Sequence, residues 1–168
     1  MVYRFRGLYR YALDSKGRVA IPARYRRILP ATENTELLLN IGLDKTVEVH
    51  PPEEWEKFEN DILLRLSKFH VDSLRLRRYL ESNVEFVKLD AQGRILIPSR
   101  FLKYAEISSG EVVIAGVGNY FEIWNPQIFD EYHKKAQELH TSDMGKIDEY
   151  LNYSKNFKFP GIEDLRNE

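Results

Sequence analysis

Leu13-Asp14-Ser15-Lys16-Gly17-Arg18-Val19-Ala20-Ile21-Pro22-Ala23-Arg24-Tyr25 is the stretch that decides the fold of this 168-residue chain. It returns 76 residues later as Leu89-Asp90-Ala91-Gln92-Gly93-Arg94-Ile95-Leu96-Ile97-Pro98-Ser99-Arg100-Phe101, with seven of the thirteen positions identical. Both copies read Leu-Asp-x-x-Gly-Arg-apolar-x-Ile-Pro-x-Arg-aromatic. An echo at a fixed offset marks a duplicated structural unit. Within each copy, Asp at the head of a tight turn bonds nearby backbone, and Gly three residues on tolerates positive φ. Asp14 to Gly17 and Asp90 to Gly93 are therefore expected to reverse the chain.

Tyr9, Tyr11 and Leu13 alternate before the first turn, and Val19 and Ile21 after it, as strands with one buried face do. Pro22 lacks a donor, so it ends the second strand and can open a helical turn from Ala23 to Leu29. The unit so read is a hairpin carrying Lys16 and Arg18 at its tip, followed by a short helix carrying Arg24, Arg26 and Arg27.

Working outward, Leu37–Ile41 reads as an apolar strand, Gly42–Lys45 as a turn and Thr46–His50 as the returning strand. Pro51-Pro52-Glu53-Glu54 has a helix-start pattern, and Trp55, Phe58, Ile62, Leu63 and Leu66 supply an amphipathic stripe. A second helix is expected from Asp72 or Ser73 to about Glu81. The order then repeats: Glu85–Leu89 enters the second hairpin, Glu111–Ala115 and Tyr120–Trp124 flank a turn at Gly116–Asn119, and Asn125 caps a helix with Pro126 at its first position. Ile128, Phe129, Tyr132 and Ala136 are expected on that helix's buried side. At an offset of 74, Gly42, Glu48, Pro52, Trp55 and Phe58 answer to Gly116, Glu122, Pro126, Phe129 and Tyr132. Three segments follow: a first repeat with two helices over 1–82, a second repeat over 83–140, and a C-terminal helix and tail over 141–168. In the tail, Asp143 is read as a cap for a helix to about Tyr153. Ile147, Tyr150, Leu151, Phe157 and Phe159 form a docking stripe, and Asn156–Gly161 breaks the helix.

Composition narrows the functional classes. At 43% hydrophobic and 30% charged residues the chain is ordinary globular protein. No apolar run is long enough to span a membrane, and the basic start Met1–Arg6 has no apolar stretch behind it to make a secretory signal. Without cysteine there is no disulfide or thiolate chemistry. The four histidines are dispersed, and no nucleophile elbow, phosphate loop or carboxylate pair can be named, so no enzyme, catalytic residue, metal, cofactor or small-molecule substrate is expected. The net charge of −1 conceals eight Lys or Arg against one acid in residues 1–30, a local +7. Cations on a rigid hairpin with aromatics between them suit a polyanion. Copy two replaces Lys16 with Gln92 and Arg26-Arg27 with Leu102-Lys103, so the main contact is expected from copy one.

Arg6-Gly7, Asp14–Arg18 with Ile21-Pro22, and Asp90–Arg94 with Ile97-Pro98 closely resemble the MraZ family, bacterial transcriptional regulators associated with the division and cell-wall gene cluster. The resemblance covers residues 4 to 140. A single copy would point only to the broader AbrB-like class of swapped-hairpin DNA binders, which includes antitoxins. The resemblance implies an α+β fold with a mostly β core: a pseudo-two-fold barrel of interlocked hairpins from two repeats, flanked by helices. It also implies a homo-oligomeric ring, a cytoplasmic and nucleoid location, and repression through double-stranded DNA at short repeated boxes upstream of the cluster. The DNA-binding residues expected are Arg18, Lys16, Arg6, Arg24, Arg26 and Arg94, of which Arg18 and Arg94 match the family's motif arginines. Asp14, Gly17, Asp90 and Gly93 are the turn residues. An oligomeric scaffold or an antitoxin-like module, binding protein partners, is the alternative from another class.

Overall fold

Both Asp-x-x-Gly turns close through the same bonds. Gly17 N–H donates to Asp14 C=O at 3.0 Å and Gly93 N–H to Asp90 C=O at 2.9 Å, while φ is 82° at Gly17 and 73° at Gly93. The computed structural model describes residues 2–30, 35–108 and 110–156, with side chains through 152. Strand β1 (Leu8–Leu13) enters the first turn and β2 (Arg18–Ala20) leaves it; β5 (Glu85–Lys88) and β6 (Arg94–Leu96) flank the second. The arms barely pair within a hairpin. β1 and β2 meet only at Leu13↔Val19, and β5 and β6 share no ladder among the described residues. Instead β2 pairs antiparallel with β6, through Arg18↔Leu96, Val19↔Ile95 and Ala20↔Arg94. The hairpins therefore interlock, as the family resemblance implied, and each copy completes the other.

Four more strands finish the sheet: β3 (Glu36–Ile41), β4 (Val47–His50), β7 (Gly110–Gly116) and β8 (Phe121–Trp124). The strand order is β5-β3-β4-β8-β7-β1-β2-β6, antiparallel at every pairing. Exchanging the two repeats and reversing direction reproduces that order once the β5 and β6 ends are brought together, so the sheet is a nearly closed barrel with a pseudo-two-fold axis. The α+β, mostly β fold is the one the family resemblance implied.

Hydrophobic burial fills the barrel. Phe5 is fully buried and packs edge-on against Tyr25 and Phe121, each centroid 5.1 Å away. Geometry of this kind adds to simple area burial because ring edges meet ring faces. Val19 and Ile95, paired in register, are both fully buried at the crossing of the two copies. β3 is buried on both faces: Leu37 and Leu39 look inward, whereas Leu38 joins Trp55 and Leu63 outside.

α1 (Ala23–Arg26) adds Tyr25 to the barrel core and stops before Leu29, which is buried in the same core. Two further helices cover the outer side of β3. α2 (Pro52–Asp61) also ends before its apolar stripe does: Ile62 departs from helical geometry and Leu63–Arg65 forms a 3-10 turn that still buries Leu63. The single longer helix expected there is corrected, because burial of Leu63 decides the path. α3 (Val71–Ser82) packs Leu80 onto the same cluster, and α4 (Ser99–Tyr104) follows the second motif.

Asn125 caps α5 (Pro126–Gly145), its Oδ1 accepting from the N–H groups of Gln127 at 2.8 Å and Ile128 at 3.3 Å. Phe129 is buried, but Tyr132 and Ala136 are exposed, so beyond the first turns the expected buried side stands off the barrel. Asp143 is not a cap. It lies within α5, accepts from Tyr150 Oη at 3.0 Å, and precedes α6 (Ile147–Asn156), on which Ile147, Tyr150 and Leu151 are exposed rather than docked. Phe157, Phe159 and the expected breaker lie outside the described residues, apart from Asn156 at the end of α6.

Candidate nucleic-acid interface

Each motif loop is built around its aspartate. Asp14 Oδ1 accepts from the backbone N–H groups of Lys16 and Arg18, both at 2.9 Å, and Oδ2 from Arg18 Nε at 2.7 Å. Asp90 repeats the set with Gln92 at 3.0 Å, Arg94 N–H at 2.9 Å and Arg94 Nε at 2.8 Å. Asp and Arg four apart therefore set the loop shape in both copies.

The loops then cross. Ile21 N–H donates to Gly93 C=O and Ile97 N–H to Gly17 C=O, each at 2.9 Å. Side chains reinforce the exchange: an added Cβ at Gly93 would lie 2.6 Å from Arg26 Cδ, and one at Gly17 would lie 3.3 Å from Leu102 Cδ1. Arg26 and Leu102, equivalent at the repeat offset, each lie over the other copy's glycine. Lys16, Arg18, Arg94 and Gln92 consequently belong to one continuous edge, not two separate tips.

The arginines within it are not equivalent. Arg18 is tied through Nε, and neither of its terminal nitrogens hydrogen-bonds among the described residues. Arg94 is more heavily engaged: Nη2 lies 2.8 Å from Asp90 Oδ2 and 3.5 Å from Gln92 Oε1, and Nη1 lies 3.9 Å from Asp14 of the other copy. Arg24 on α1 is exposed and has no polar partner among the described residues. Its repeat equivalent Arg100 reaches Glu85 at 2.9 Å and the carbonyls of Ser82 and Val84. That difference is a readable signal, since Tyr9 stands where an acid equivalent to Glu85 would be.

Arg26 is partly committed, donating through Nε to Ile21 C=O at 3.1 Å. Arg6 is exposed next to Gly7, whose carbonyl accepts from Tyr25 of α1 at 3.1 Å. Arg10, counted in the basic segment, is neutralised by Glu111 at 3.0 Å and Asp130 at 2.5 Å. Among the described residues of this segment, the cations without an acidic partner are thus Lys16, Arg24, Arg6, Arg27, Arg4, which donates to the Tyr3 carbonyl, and Arg26, together with the outer part of Arg18.

Loop integrity depends on the aspartates being ionised. The Arg18 backbone N–H, followed by the Arg18 side chain and the Lys16 N–H, holds the Asp14 carboxyl at about 2, against the opposing effect of burial. Asp90 is lowered in the same sense, led by the Arg94 side chain. A folded value below the unfolded one of about 3.9 stabilises the protein above that pH, and the contribution is lost as pH falls through the folded value. Melting curves of the wild type and Asp14→Asn should differ above about pH 4 and converge toward about pH 2. A difference independent of pH across that window would separate loop stability from Asp14 ionisation.

Among the described residues no helix is long and apolar enough to cross a membrane, and no group of acidic or histidine side chains could hold a metal ion. Comparison with known proteins gives one consistent result. The family model described as "MraZ protein, putative antitoxin-like" matches residues 4–79 and 82–146. A transcriptional regulator MraZ of Legionella pneumophila (strain Corby) is 34% identical over 142 residues, 83% of this chain and 92% of the relative. Relatives of the same name from Methylococcus capsulatus and Natranaerobius thermophilus are 35% and 38% identical, covering 84% and 79% of this chain and 94% and 89% of themselves.

Proposed function

This chain belongs to the MraZ family, and from that premise we propose that it regulates transcription by binding double-stranded DNA along the crossed motif loops. The observation that carries the reading is the single edge on which Lys16 and the outer nitrogens of Arg18 stand together, stiffened by reciprocal bonds between the copies. A guanidinium held by Nε keeps a pair of donors at its far end, which suits the two acceptors of guanine or a phosphate. Lys16, Arg24 and Arg6 contribute phosphate contacts, which position the protein without reading sequence. Arg26 adds to them from its place over Gly93, and Arg94 shapes the edge while touching the DNA less. The targets proposed are short repeated boxes upstream of the division and cell-wall cluster, bound as a repressor by a homo-oligomeric ring on the cytoplasmic nucleoid. Residues 1–82 and 83–140 act as the two repeat units, with 141–168 as an appended tail.

A gel shift with DNA upstream of the protein's own gene tests the reading. Binding no tighter than to random duplex would overturn it. Salt supplies a second measure. Log affinity should fall linearly with log salt, by about 0.9 per phosphate neutralised, and removing Lys16 or Arg24 should reduce the slope by about one or less. A slope near zero in the intact protein would mean that the basic edge meets something other than a polyanion.

A further inference from the structure

Between the outer face of β3 and β4 and the helices α2 and α3 lies a cavity of about 420 Å³, away from the motif loops in sequence and in fold. Its size falls within the range of about 300–1,000 Å³ common for small-molecule sites. Five aromatic side chains line it: Trp55 and Phe58 from α2, Tyr79 from α3, Tyr104 from the end of α4, and Tyr120 ahead of β8. Tyr120 stacks on His50 at 4.7 Å, and His50 meets Trp55 edge-on at 5.4 Å.

The charged lining is one-sided. Glu48 and Glu54 contribute carboxylates, and no Lys or Arg lines the cavity among the described residues. Glu54 is held in place, its Oε1 accepting from Lys57 at 2.5 Å and its Oε2 from Asn119 at 2.9 Å. Glu48 Oε2 lies 2.9 Å from His50 Nε2, while its Oε1 has no hydrogen bond among the described residues. Directly across the β4–β8 pairing stands Glu122. Burial first, and then Glu48, push its carboxyl up to about 6 against the hydrogen bond it accepts from Trp124, so the two carboxylates disfavour each other's charge. A second feature points the same way. Asn40 lines the cavity and is almost wholly buried; its amide donates to Leu80 C=O at 3.1 Å, but Oδ1 is a buried acceptor with no partner among the described residues. Natural proteins seldom leave such an atom unsatisfied without a use for it.

We infer that this cavity binds a small organic cation, an ammonium or amidinium head on an apolar body. Aromatic faces attract such a head through their ring quadrupoles, and the Glu48 carboxylate supplies the counter-charge that an aromatic cage alone lacks. The head's N–H groups, where it has them, match acceptors the protein leaves open. The pseudo-symmetry also isolates this site: at the repeat offset α3 answers to α6, but α5 runs on to Gly145 and Ile147, Tyr150 and Leu151 of α6 are exposed, whereas Leu80 of α3 packs beside the cavity. The cavity is therefore not a by-product of the duplicated barrel.

The test titrates the full chain with benzyltrimethylammonium near neutral pH, following tryptophan fluorescence and heat, with benzyl alcohol and benzoate at matched ionic strength as comparators. Saturable one-to-one binding of the ammonium is expected, about tenfold tighter than benzyl alcohol, with benzoate weaker still. Glu48→Gln combined with Glu54→Gln should weaken the ammonium about tenfold. Because those carboxylates are half-buried or buried, Leu76→Arg serves as a second variant: Leu76 sits on the cavity rim, 49% exposed, and the introduced guanidinium should abolish binding in a folded protein. Absence of saturation, equal affinity for benzyl alcohol or benzoate, or unchanged affinity in a folded variant each overturns the inference. So does an assembly that Leu76→Arg dissociates while the ammonium leaves it untouched, which would make the cavity an interface between copies.

Discussion

Arg18→Ala is expected to abolish sequence-specific DNA binding while leaving a folded protein. Asp14 keeps its two backbone N–H bonds, so the loop retains most of its shape when the side chain is removed. What disappears is the outer pair of guanidinium nitrogens, the donors not engaged within the protein. Losing one bidentate base contact costs roughly 1–3 kcal/mol. If several subunits engage repeated boxes together, the weakening compounds across them and a modest defect at one site looks like complete loss. Arg94→Ala should behave differently. It removes the partner of Asp90 and the link to Asp14 across the repeats, so its effect should fall on melting temperature or elution volume first. The reverse pattern, with Arg94→Ala folded but unable to bind and Arg18→Ala binding normally, would remove the proposed division of roles.

The second large effect is on stability, and it too should be unequal between the copies. Gly17→Val and Gly93→Val each force a β-branched residue into positive φ, a strain of roughly 1–3 kcal/mol. At Gly93 the added carbon meets Arg26, whose aliphatic stem can move aside. At Gly17 it meets the carbonyl oxygen of Ile97 at 3.1 Å, a backbone atom that cannot swing aside as a side chain can. Gly17→Val should therefore be the more damaging, lowering the melting temperature by about 2–4 °C for every kcal/mol lost in a chain of this size. Equal shifts would show that backbone strain alone sets the cost and that the crossing contact contributes nothing.

Much of the fold was legible because its cues are local. Asp-x-x-Gly specifies a turn, alternation specifies a strand face, and Asn125-Pro126 specifies a helix start. The repeat offset then carried these across both halves. What stayed hidden was pairing between the halves. Nothing in Arg18-Val19-Ala20 says that its partner is Arg94-Ile95-Leu96 rather than Tyr11-Ala12-Leu13, since both choices bury Val19. The helix ends failed for a related reason: the stripe through Leu66 is periodic, but burial of Leu63 in a separate turn overrides it. At the candidate interface, residue types were readable and their engagement was not. Arg10 counted as a free cation until Glu111, 101 positions away, came beside it. Arg26 was legible as a cation of the short helix, but the seat of its stem on Gly93 of the other copy was not.

The pairing of β1 with β7 bears on how the protein is made. Leu8 lies opposite Ala115 and Leu13 opposite Gly110, so β1 leaves the ribosome about 100 residues before its principal partner. At roughly 5–20 residues per second, about 100 intervening residues amount to some 5–20 s with β1 lacking its principal partner. During that interval Tyr9 and Tyr11 stand on an open strand edge, the kind that recruits other chains. Nascent chains arrested before residue 110 should accordingly be cleaved by protease within β1, and chains extended past residue 124 should be protected there. Equal protection in both would mean that the early chain shelters its first strand by some other contact.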